Sequence, residues 1–269
     1  MADKQRVDEA LRLLRRESDA FTTTLAGLAT GDWDRPTTCP PWTVRQLTAH
    51  VVRQVDSYIR SVEQGMRGES GPPESREARA QQMNAIAAQE PGKILADFRA
   101  TVDRFERWFG ELSAEQLDVE GLHSHGPRSA AWWVEQRLAE VAFHGLDLER
   151  SLGRAADLEQ RTARFLLPTL VELNFPAIVR RDATGGHGIY RLEARGVSGA
   201  AWRLEFAPGS LTVTRGPEPA DAGFEADAAA LGLLLYGRAK WPELERAGRL
   251  AVRGSRAAAD RFHDMFRGP

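Results

Sequence analysis

The apolar pattern of this 269-residue chain changes period once, and that change limits the folds open to it. In the first half, Val7, Leu11, Leu14, Phe21, Leu25 and Leu28 recur at a spacing compatible with a 3.6-residue turn. In the second half, "IYRLEA", "AWRLEF" and "SLTVTR" alternate apolar with polar residues and are separated by Gly-containing turns, the mark of half-buried strands. A helical unit followed by an α+β unit is therefore expected, with the change falling between about residues 154 and 186. The division adopted is 1–155 and 156–269.

Within the helical half, Pro40-Pro41 is expected to end a turn and open a helix from about Trp42 to Met66, because a helix's first turn tolerates a missing N–H. Val44, Leu47, Val51, Val55, Tyr58 and Ile59 form its apolar side. "GESGPPES" reads as a loop. Ile94, Leu95, Phe98, Val102, Phe105 and Phe109 mark a third helix. Ser129 is a plausible N-cap for a fourth, which ends at Gly153. Four such helices predict an antiparallel four-helix bundle. A further helix over Leu158–Arg181 contains Pro168 and Pro176 and should kink or break. After the turn "DATGGHG" and the three strands come a short helix ("DAAALGLLLYG"), a strand ("RLAVRG") and a terminal helix from about Ser255.

Composition removes several functions. Net charge is −2, and the basic pairs Arg15-Arg16 and Arg180-Arg181 are too short for a phosphate-binding tract, so no nucleic-acid partner is expected. The longest apolar run, "LGLLLY", cannot span a bilayer. The one cysteine, Cys39, forbids an internal disulfide, and the charged N-terminus has no apolar signal core; a cytoplasmic location is the expectation.

The residues most able to do chemistry lie in "RLAEVAFHGLDLERSLG". Glu140 and His144 are four apart and so lie nearly above one another on a helix; Asp147 follows three residues later. On the second helix His50 stands among Leu47, Val51 and Val55. Two imidazoles and a carboxylate make the ligand set of a three-ligand zinc site with one position open. Periodicity also allows a bland account, in which Glu140 and His144 are an i,i+4 contact on a polar face and His50 is a hydrogen-bonded core histidine. Spacing does not show that the two helices meet. His123 and His125 sit in a Gly/Pro-bounded stretch that reads as a surface turn. Cys39 reads as a small buried residue, and the many tryptophans, Trp132-Trp133 among them, as core or pocket wall. "TGGHG" reads as a linker turn, and His263, on the terminal helix, as unrelated to the chemistry.

"DWDRPTTCPPWTVRQLTAHV" resembles the N-terminal signature of the mycothiol-dependent maleylpyruvate isomerase family, part of the DinB-like superfamily. "RLAEVAFHGLDLERSLG" resembles that family's second motif. "AWRLEF", "LYGRAKW" and "RLAVRGSRAAADRF" resemble the sterol-carrier-like domain often fused to it. The second proline of "CPPW" is a small departure. The resemblance implies a DinB-like bundle followed by a smaller sterol-carrier-like α+β domain. It implies a divalent metal, usually zinc, on His50, Glu140 and His144, with mycothiol as cosubstrate. Arg238, in "LYGRAKW", takes the position of a positive group supplied by the second domain.

The chemistry is coherent. A thiol of ordinary pKa about 8.5 loses its proton on coordinating a divalent metal and can then attack a small electrophile. Addition followed by elimination gives isomerisation; release of the adduct gives thiol transfer. Arg238 could pair bidentately with a carboxylate of the substrate or of the thiol. Asp147 offers either a hydrogen bond to a ligand or a salt bridge with Arg150 or Arg154. The expected partners are a small-molecule electrophile and a low-molecular-weight thiol, with the chain a monomer or homodimer. Two other functions fit the same sequence: a non-catalytic small-molecule binding or sequestration protein, and a DinB-like metal-dependent hydrolase or resistance protein.

Overall fold

The computed structural model describes residues 3–69, 71, 74–179 and 186–264, and the side chains of Ile178 and His263 are not among what it describes. Arg180-Arg181, part of "GESGPPES" and most of "DATGGHG" therefore lie outside the described residues. The chain separates into two compact units, Met1–Asp157 and Leu158–Pro269.

The first unit runs α1 (Lys4–Ala26), α2 (Val44–Met66), α3 (Arg76–Ala87), α4 (Pro91–Gly110), α5 (Ala114–Leu117), β1 (Glu120–His123), β2 (Gly126–Ser129) and α6 (Ala130–Ser151). α1 and α2 each pack against both α4 and α6. The four long helices thereby enclose Leu14, Phe21, Leu47, Val51, Val55, Phe98, Phe105, Leu138 and Val141, each at most 2% exposed. Fully burying one such side chain contributes roughly 1.5–3 kcal/mol.

The proline pair does not open α2. The helix starts at Val44, because Thr43 makes the better cap: its side chain accepts from the Gln46 N–H, and Gln46 Oε1 accepts from the Thr43 N–H at 3.0 Å. That reciprocal box satisfies two N–H groups that a proline start leaves alone. The proline turn instead carries Cys39 and Trp42 to the head of α2. It is held by the Thr37 N–H on the Trp42 carbonyl (2.8 Å) and the Thr38 N–H on Ser151 Oγ of α6 (3.0 Å).

Helix α6 begins where β2 ends, with Ser129 as its cap. β1 pairs antiparallel with β2 and lies flat on α2; a Cβ on Gly121 would stand 2.7 Å from the Ser61 carbonyl oxygen. Only glycine allows that approach. The hairpin thus fixes the start of α6 against α2, the two helices that carry the candidate ligands.

In the second unit the helix expected over Leu158–Arg181 is interrupted. It becomes α7 (Gln160–Thr169), a π-helical turn (Leu170–Asn174) and α8 (Phe175–Ile178). Pro168 lacks the N–H that would continue the ladder, and Pro176 falls in the first turn of α8. There follow β3 (Gly188–Ala194), β4 (Ala201–Ala207), β5 (Ser210–Arg215), β6 (Ala222–Ala226), α9 (Ala228–Leu235), α10 (Trp241–Arg246), β7 (Leu250–Gly254) and α11 (Arg256–Arg261). The sheet order is β5-β4-β3-β6-β7, with β3 and β6 parallel and the other pairs antiparallel. Tyr190, Leu192, Trp202, Leu204, Phe206 and Phe224 alternate onto the buried face. No helix among the described residues is long and apolar enough to cross a membrane.

Candidate metal centre

The two helices do meet, and His50, Glu140 and His144 converge. One ligand atom from each lies within 4.8 Å of the others. Glu140 Oε2 is 3.3 Å from His50 Nε2 and 3.2 Å from His144 Nε2. The Glu140 and His50 side chains keep 20% and 22% of their surface, so the cluster is sheltered but open. Glu140 and His144 are the turn-apart pair of α6, and His50 reaches them because Leu47 and Val51 on its flanks seat α2 in the core.

The surroundings are specific. His144 Nδ1 faces Asp147 Oδ2 at 3.2 Å, and Cys39 Sγ donates to the same oxygen at 2.9 Å. Asp147 is 1% exposed and serves His144, while Arg154 pairs with Glu149. A carboxylate behind a histidine fixes its tautomer and strengthens it as a ligand. Gln136 Nε2 donates to Glu140 Oε1 at 2.8 Å. The Trp42 ring stands 4.7 Å from that of His50 and 6.1 Å from that of His144, making one wall.

The electrostatics follow from burial and pairing. Burial opposes ionising Glu140, but hydrogen bonds from His144 and His50 outweigh it and hold the carboxyl well below its ordinary value. Burial likewise opposes charging His144; Asp147, Cys39 and Glu140 reverse that and hold it well above. Burial wins at His50, which is pushed below its ordinary value despite Glu140. Of the two imidazoles in the metal-free chain, His144 thus holds a proton the more tightly.

These residues fit a divalent metal. Ligands at about 2.0–2.1 Å in a tetrahedron stand roughly 3.3 Å apart, the spacing found on either side of Glu140. A second feature supports the fit. Arg137 Nη1 can only donate, so the Gln54 atom it meets at 3.3 Å is Oε1, and the Gln54 amide nitrogen faces His50 Nε2 at 2.9 Å. His50 Nε2 cannot both accept from Gln54 and donate to Glu140. A cation between His50 and Glu140 removes that conflict. Asp147→Asn keeps the shape and removes the charge behind His144; metal affinity measured by chelator competition is expected to fall about 10–100-fold.

The other sequence candidates fall elsewhere. Cys39 is half-buried against Asp147 and His144 rather than simply packed. His123 ends β1, and burial lowers its pKa to about 4; its ring lies 5.1 Å from Trp132 and 5.3 Å from Trp133, both buried in α6. His125 lies in the turn between the strands. Arg238 belongs to the second unit, where its Nη1 donates to the Tyr236 carbonyl at 2.8 Å. Gln54 and Arg137 were missed from sequence, and Trp42 was read only with the other tryptophans, as core or pocket wall. Gln54 stands four residues from His50, the spacing that singled out His144, and Arg137 three residues from Glu140, also one turn away.

The mycothiol maleylpyruvate isomerase N-terminal domain model matches residues 14–149, and the SCP-2 sterol transfer family matches residues 175–267. Among curated proteins none matches the sequence. The crystal structure of a mycothiol-dependent maleylpyruvate isomerase, and that of a point mutant of it, each align over 94% of this chain and 95% of the other. Identity is 19% and the TM-score 0.64 for both. Sterol carrier protein 2 from Yarrowia lipolytica aligns over 41% of this chain and 97% of its own, with 17% identity and a TM-score of 0.29. With half of its length matched by that first family, and with a helical DinB-like unit followed by an SCP2-like α+β unit, the chain belongs to the mycothiol maleylpyruvate isomerase N-terminal domain family.

Proposed function

We propose that the protein is a metal-dependent enzyme that uses mycothiol for thiol transfer to, or thiol-assisted isomerisation of, a small electrophile. The observation that carries this is the convergence of His50, Glu140 and His144 at ligand spacing in a partly open site. A bound divalent metal, zinc by the nature of the donors, would supply the charge that ionises a thiol near neutral pH.

The chain's own residues do the rest. Two imidazoles and a single carboxylate leave net positive charge on a divalent ion, which favours an anionic sulfur. Asp147 accepts from His144 Nδ1 and so turns the Nε2 lone pair toward the site. Trp42 covers both imidazoles and narrows the approach of water.

The sequestration alternative needs room for an apolar ligand. In the second unit the rings of Tyr190, Phe206, Phe224 and Phe262 pack against one another with centroids 4.8 to 6.4 Å apart. The test is an aryl halide offered to zinc-loaded and zinc-stripped protein, with and without mycothiol. Consumption that needs both zinc and thiol is expected. Consumption with zinc but no thiol gives the hydrolase reading, and none under any condition removes thiol transfer.

A further inference from the structure

Gln54 presents a second puzzle once the metal reading is accepted, and the inference here rests on that reading. Its side chain is 4% exposed and held at both ends. Arg137 fixes Oε1, and the amide nitrogen is 2.9 Å from the His50 nitrogen whose lone pair is the proposed ligand. His50 cannot give that lone pair to a metal and still accept from Gln54. The amide N–H then loses its acceptor in a buried place, where an unmet donor costs about 1–3 kcal/mol. Arg137 keeps the far end in place, so the N–H stays aimed at the cluster.

Glu140 is a poor replacement acceptor. Its Oε1 already accepts from Gln136, and its Oε2 is the atom shared by the two histidines. An acceptor of suitable charge is the atom arriving at the open position. We propose that Gln54 binds the sulfur of the thiol cosubstrate, its amide N–H passing from His50 to the incoming thiolate. The Arg137 charge on Oε1 polarises the amide and makes it a stronger donor. Gln54 thus joins thiol recognition to metal loading, since the donor is released only when His50 is engaged.

The test uses cobalt-substituted full-length protein, N-acetylcysteine as the thiol, and the thiolate-to-cobalt absorption band as the readout. Two variants separate donor from packing. Gln54→Met removes the amide and keeps the volume; Gln54→Glu keeps a partner for Arg137 and offers no N–H. Both are expected to load cobalt and to bind N-acetylcysteine at least about tenfold more weakly than the parent, Gln54→Glu most weakly through charge repulsion. Thiol binding within twofold of the parent in either cobalt-loaded variant overturns the proposal. Weaker cobalt loading with unchanged thiol affinity also overturns it, and gives the amide to the ligand set alone. A cobalt-loaded parent with no band at saturating thiol would instead sink the thiol-enzyme reading, and this inference with it.

Discussion

Glu140→Gln is expected to strip the metal from the purified protein. The substitution keeps the side chain's size and removes the one negative charge at the centre of the cluster. It also sets an amide where two imidazole nitrogens stand 3.2 and 3.3 Å away. Loss of a group behind a ligand costs about 10–100-fold in affinity, so loss of the only anionic ligand should exceed that upper figure. Elemental analysis after dialysis, with chelator competition for the residual affinity, checks it. Stoichiometric metal in this variant would mean that the cluster is not the site.

The same residues give metal binding a pH dependence whose sign can be worked out. His144 is raised above its ordinary 6.5 in the metal-free fold, so its contribution to stability is complete below 6.5 and is lost as pH rises through the folded value. Glu140 is depressed below 4.5, so its contribution is present above 4.5 and is lost as pH falls through its folded value. His144 and Glu140 together should therefore stabilise the metal-free protein most between those two ordinary values, while His50, pushed below its ordinary value, works against them as pH falls below 6.5. Metal must displace the His144 proton, so affinity moves the other way and rises with pH. The gain in Tm on adding zinc is expected to widen from about pH 6 to about pH 8, with a proton released per metal bound. In Glu140→Gln, which removes one cause of the raised His144 value, the apo protein's decline above neutrality should begin at lower pH.

What the sequence revealed and what it hid divide along physical lines. The faces of α1, α2, α4 and α6 were readable because each buries residues repeated at one period, as with Ile94, Phe98, Val102 and Phe105. Glu140 beside His144 followed from helix geometry alone. α3 escaped notice because only Ala87 of it is buried, so it has no stripe to read. β1 and β2 span four residues each around "SHG", too short for alternation to register. The strand "AGFEA" was passed over because two alanines and a glycine give β6 little apolar contrast. Whether His50 faces Glu140 depends on which helices pack together, a long-range fact that no local spacing contains. Gln54 and Trp42 acquire their meaning only from that encounter.

Arg137 should prove the most costly residue to remove among those that touch no proposed ligand of the metal. It is fully buried on α6, and its Nη1 donates to the Val51 carbonyl of α2 at 2.6 Å. Burial brings its pKa from 12.5 down to about 10, with Tyr58 and Glu140 opposing the fall. The charge is thus kept at an expense that Glu140 partly offsets, and Glu140 in turn depends on positive neighbours. Arg137→Ala opens a cavity, leaves the Val51 carbonyl with only its bond inside α2, and removes one of those neighbours. A loss of about 3–5 kcal/mol is expected from urea unfolding of the metal-free protein. Arg137→Met fills most of the volume without the charge and should cost less, as isosteric replacement of buried ions often does. Zinc supplies positive charge beside Glu140, so the deficit of either variant should shrink in the zinc-loaded protein. If Arg137→Ala costs under about 1 kcal/mol, or if zinc leaves the deficit unchanged, the guanidinium is only a packing element and its electrostatic link to the metal centre fails.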